Sequence, residues 1–113
     1  MAPITLRQLG VCVVLANALA ACAGAPKGEA AAGQRIAEAN CAACHAIGLT
    51  GESAHASAPP LRTLSQKYPP RDLEEALAEG ILVGHSDMPE FRLEPAEIDA
   101  LITYLESVQA PAR

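Results

Sequence analysis

Cys41-Ala42-Ala43-Cys44-His45 constrains this chain more than any other segment. Two thiols three positions apart, with an imidazole directly after the second, suit three chemistries. A redox dithiol wants a βαβ setting, and no strand pattern precedes the motif. A zinc site needs four ligands, and beyond the first residues of the chain only His45, His55 and His85 could join the two thiols. The third chemistry uses every member: the thiols add to the two vinyl groups of one haem, and the adjacent imidazole falls beneath its iron. One covalent haem c, attached through Cys41 and Cys44 with His45 as axial ligand, is therefore expected.

Composition agrees. The chain has 113 residues, enough for one small domain, and only Tyr68, Phe91 and Tyr104 are aromatic. A core so poor in rings has room for a large apolar disc. The stretch from Ala46 to Pro70 holds Gly48, Gly51, Pro59, Pro60, Pro69 and Pro70 and reads as one long loop. Loops of that length are uncommon in compact domains unless they wrap something.

Helical spacing fills the rest. Alanine-rich sequence from Glu29 to about Cys44 predicts a first helix with a small-residue face that includes Gly33 and Ala37. A second is expected from Arg71 to Gly80, with Leu73, Ala76, Leu77 and Ile81 on one side. The last starts near Pro95, carries Glu97 in its first turn, and buries Ile98, Leu101, Ile102, Leu105 and Val108. No strand alternation is present. The expected fold is all-α, three to four helices with long loops wrapped around one covalent haem.

The second axial ligand is reached by elimination. Once Met1 is gone, Met88 is the only methionine, and it lies in the loop Gly84-His85-Ser86-Asp87-Met88-Pro89, which can present a side chain to a flat surface. His85 is its main rival and His55 a more distant one. A thioether ligand raises the reduction potential relative to a second imidazole. With both axial positions filled by protein no site is open to substrate, so an outer-sphere electron carrier is expected rather than an enzyme.

The first residues read as an export signal: Arg7, then an apolar run from Leu9 to Ala21 broken only by Asn17. That run is short for a membrane span, which needs about 20 residues. Leu19-Ala20-Ala21-Cys22 resembles the lipobox of bacterial lipoproteins. If haem takes Cys41 and Cys44, acylation would use Cys22, which would otherwise stay unpaired in an oxidising compartment. Residues 1–21 are thus assigned to the signal, with Cys12 discarded in it, 22–32 to a lipid-anchored tether and 33–113 to the haem domain. Bacterial periplasm, with a membrane contact through Cys22, is the expected location.

The formal charge is −5. Ten of the thirteen acids lie between Asp72 and Glu106, where Arg92 is the only Lys or Arg. Nucleic acid is an unfavourable partner for such a surface, and a redox protein with a basic docking patch a favourable one.

These features together resemble the class I cytochromes c over residues 33–113. Gly33, eight positions before Cys41, resembles the family's helix-packing glycine, and Asp99-Ala100-Leu101-Ile102-Thr103-Tyr104-Leu105 its last helix. Ala58-Pro59-Pro60-Leu61 is similar to the Gly-Pro-X-Leu loop. The resemblance implies that the Pro59 carbonyl accepts a hydrogen bond from Nδ1 of His45 and that Leu61 packs on the ring. Met88-Pro89, 43 residues after His45, is similar to the Met-ligand loop of the shorter bacterial members. Ala37 stands where many relatives have an aromatic, which predicts weaker packing between the terminal helices. No tryptophan is available for a haem propionate, so Tyr68, Arg62 and Arg71 are the candidates for that role. Two other functions fit parts of the sequence: a haem-c sensor or enzyme subunit with a labile Met ligand, and a zinc-binding structural module.

Overall fold

A computed structural model describes residues 24–80, 87–90 and 92–111. Cys12, Cys22, Ile81, His85 and the signal segment lie outside the described residues. Three α-helices are formed, α1 (Glu29–Asn40), α2 (Glu74–Glu79) and α3 (Pro95–Ser107), with 3₁₀ helices at Leu61–Gln66 and Pro70–Leu73. No strand occurs among the described residues, and the all-α expectation holds.

α3 is the spine of the core. Pro95 takes its first position, where a missing N–H costs nothing. Glu94 and Glu97 close a capping box around its start, with the Glu94 N–H donating to Glu97 Oε2 at 3.0 Å. All five residues of the expected stripe are buried, and Leu101 and Ile102 are the most deeply enclosed large side chains. Burying each contributes about 1.5–3 kcal/mol.

α1 lies against α3 through its smallest residues. A Cβ placed on Gly33 would sit 1.9 Å from the Ala100 carbonyl oxygen and 2.7 Å from Tyr104 Cβ, so the backbones touch where a side chain would stand. Ala37, one turn on, is fully buried. Further along, the Tyr104 hydroxyl donates to the Ile47 carbonyl at 3.0 Å, tying α3 to the loop that follows the cysteines. Burial, and secondarily the Glu38 carboxylate, raise the Tyr104 pKa.

α1 begins at Glu29 as the sequence reading expected, so the helix takes in residues 29–32 that were also assigned to the tether; Thr103 of α3 meets the Glu29 carboxylate there at 3.5 Å. Three other boundaries differ from the sequence reading. α1 ends at Asn40, short of the expected Cys44. The long loop is not wholly irregular, since Leu61 and Leu64, three apart, both bury and close a 3₁₀ segment. The second helix starts as 3₁₀ at Pro70 and turns α only at Glu74. It stops at Gly80, whose φ of +74° is left-handed backbone that glycine adopts readily.

Candidate haem site

The motif follows directly on α1. Cys41 N–H still bonds to Ala37 O at 2.8 Å, and the N–H groups of Cys44 and His45 both return to Cys41 O, at 3.1 and 2.9 Å. The helical path thus persists as single turns through the motif and sets the spacing of the two sulfurs. Burial pushes the Cys41 thiol up to about 11. A reactive dithiol needs the opposite shift. No group of three or more potential metal-ligating side chains assembles among the described residues, which leaves a zinc module without a site there.

His45 is oriented by the proline loop. Its Nδ1–H donates to the Pro59 carbonyl over 2.7 Å. A carbonyl can only accept, so Nδ1 carries the proton, and in the neutral ring the lone pair belongs to Nε2, the nitrogen then suited to a metal. Pro60 fixes that carbonyl's direction: it holds its own φ at −57° and restricts Pro59 to extended backbone. The next residue is pinned at both ends. Leu61 N–H donates to Ala46 O at 2.9 Å, and Leu61 O accepts from Gln109 Nε2 at 2.9 Å.

Gln109 does more. Its Oε1 takes the Ser65 N–H at 2.8 Å, while Ala110 N–H reaches Arg62 O at 2.8 Å. Residues 109–110, just after α3, therefore hold the 3₁₀ segment in place.

A cavity of about 300 Å³ opens beside the motif. Cys41, His45 and Met88 all line it, and its wall is largely leucine: Leu61 and Leu64 from the 3₁₀ segment, Leu73 and Leu77 from the second helical stretch, Leu101 and Leu105 from α3. A smaller cleft joins Cys44, His45, His55, Asp87 and Met88. His55 Nε2 is 3.7 Å from Asp87 Oδ2, and the His55 N–H donates to Cys44 O at 3.1 Å, so the segment bearing Met88 is drawn toward the cysteine turn. Its return is fixed as well, by Leu93 N–H on Leu77 O at 3.0 Å. Apolar walls, two thiols and an imidazole of set tautomer fit a haem: the leucines would flank its ring, Cys41 and Cys44 bond it, and His45 ligate its iron.

Of the residues the sequence reading placed at the site, Cys41, His45, Pro59, Leu61 and Met88 line the larger cavity, and Cys44 lines the smaller cleft with His45 and Met88. Two candidates for the propionates, Arg71 and Arg62, do not line the cavity, although Arg62 Nη1 is buried without a partner. Arg71 pairs with Glu106, Nε to Oε1 at 2.9 Å, and with Glu74 at 3.2 Å, because α3 presents Glu106 to it. Arg62 donates from Nη2 to Gly51 O at 2.9 Å and does not line the cavity. Lys67, Ser57 and Thr63 line it instead. Nothing in the sequence marks Lys67 apart from other surface lysines, and Leu61 and Leu64 alone are too short a pattern to mark the wall.

An all-α domain with this motif, cavity and imidazole is a covalent-haem domain. A model of the Cytochrome c family matches residues 30–109, and the chain belongs to that family. No curated protein and no solved structure matches it. The family binds haem c covalently and carries electrons.

Proposed function

We propose that this chain is a mono-haem electron carrier of a bacterial periplasm, with His45 and Met88 as the axial ligands and an acylated Cys22 holding it to a membrane. The observation that carries the ligation is the position of Met88, the only methionine among the described residues, on the same cavity as Cys41 and His45. When bound, haem supplies a one-electron iron couple. The protein's part is to keep that couple dry on its leucine side, to fix the His45 ring through Pro59, and to fill the remaining axial position with the Met88 thioether, so that electrons cross without ligand exchange. The acids between Asp72 and Glu106 supply the docking field. Arg71 neutralises Glu74 and Glu106, and the others stand exposed toward a partner with a basic patch.

The ferric protein is expected to show the long-wavelength thioether-to-iron charge-transfer band, and Met88→His to abolish it. The same substitution lowers the midpoint potential by a sizeable part of the roughly 0.8 V over which axial ligands set haem potentials. Absence of the band in the parent, or ready carbon monoxide binding by its ferrous form at neutral pH, overturns Met88 ligation and favours a sensor or enzyme with an open position.

The anchor has its own test. Radiolabelled fatty acid fed to cells is expected in the parent protein and not in Cys22→Ser; an unlabelled parent removes the membrane attachment from this reading. Acylation with about two chains is what stable anchoring requires, each buried CH₂ contributing about 0.8 kcal/mol.

A further inference from the structure

Haem is apolar on its faces and carries two carboxylates on one edge, so that edge must meet the polar part of the cavity rim. Setting aside Cys41 and His45, the polar lining residues are Ser57, Thr63, Lys67 and Tyr68, all on one stretch of chain. Thr63 Oγ1 already donates to Pro60 O at 2.8 Å. Lys67 is the one Lys or Arg among the lining residues. Of the other nearby cations, Arg71 is paired with Glu74 and Glu106, and Arg62, which does not line the cavity, gives Nη2 to Gly51 O and keeps a buried Nη1 without a partner.

Two further observations single out Lys67. It closes the 3₁₀ segment, its N–H bonded to Leu64 O at 2.9 Å, so its Cα is anchored to the cavity wall while its side chain stays exposed. It also lines a second, polar cavity of about 380 Å³ bounded by Glu52, Ser53, His55 and Ser57, which shares Ser57, Pro59 and Lys67 with the leucine-walled one. Lys67 therefore stands where an apolar chamber adjoins a more polar one, where an amphipathic disc would place its carboxylates. Among the described residues neither the Lys67 ammonium nor the Tyr68 hydroxyl is engaged in a hydrogen bond or ion pair.

We infer that Lys67, seconded by the Tyr68 hydroxyl, holds a haem propionate, and that this ammonium is a positive charge that tunes the iron couple from the polar rim. A cation near the ring stabilises the ferrous state, which carries one positive charge fewer, and so raises the potential. This inference rests on the haem itself and not on Met88 as ligand, so a missing charge-transfer band would leave it standing.

Spectroelectrochemical titration of the full-length holoprotein tests it, with Lys67→Gln, Lys67→Arg and Arg71→Gln side by side. Lys67→Gln is expected to shift the electron-exchange equilibrium with a reference couple about threefold toward ferric, which is about 28 mV at about 59 mV per tenfold. Lys67→Arg is expected to restore the parent value, and Arg71→Gln to leave it unchanged. An unchanged potential in Lys67→Gln overturns the assignment. So does an equal shift in Arg71→Gln, which would make the effect one of overall charge.

Discussion

Gly33→Ala is expected to cost more than about 3 kcal/mol and to lower the melting temperature of the holoprotein by about 15 °C or more. The added methyl would lie 1.9 Å from Ala100 O, 2.6 Å from Ala100 C and 2.7 Å from Tyr104 Cβ. Two of those atoms are backbone of a buried helix, so no rotamer change relieves the overlap. Either α1 and α3 separate along their contact, exposing Ala37, Leu101 and Tyr104, or the α3 backbone distorts. Both outcomes remove a large part of the 5–15 kcal/mol that a domain of this size has to lose. Far-UV circular dichroism on heating reads the effect. A melting temperature within about two degrees of the parent would show that the helices do not meet as described.

Cys41→Ala/Cys44→Ala is expected to abolish covalent haem entirely. Acidified organic solvent should extract all haem from the double variant and none from the parent, and haem staining of denatured protein should vanish with it. Staining that persists in the double variant would contradict attachment through these thiols. The stability loss should exceed what two side chains account for, because Leu61, Leu64, Leu77, Leu101 and Leu105 turn toward a common cavity. Without the ring they lose packing partners, and each such leucine is worth about 1.5–3 kcal/mol when buried.

Much of this was legible because the signals are local. The CxxCH motif, Pro95 at the first position of α3, its five-residue apolar stripe and the glycine at residue 80 each follow from residue type and short spacing. Gly33 and Pro59 needed more: their partners are Ala100 and His45, and only the family resemblance connected them beforehand. The remainder could not be read because it is made by distant residues meeting. Gln109 is 48 positions from Leu61 and has no sequence signature of its bond to that carbonyl. Arg71 was a candidate for the haem edge until Glu106, 35 positions away, took its guanidinium. Lys67 owes its place on the cavity to the 3₁₀ segment, and two leucines three apart were too short a pattern to announce a helix inside a proline-rich stretch.

The contact between Glu29 and Thr103 bears on how the domain can be joined to other things. The first residue of α1 lies against α3 one turn before that helix ends, whereas beyond α3 the chain stays bonded to the 3₁₀ segment through Gln109 and Ala110. The domain is therefore suited to fusion ahead of α1, where added chain leaves the helices in contact, and unsuited to truncation before residue 109, which would release the 3₁₀ segment.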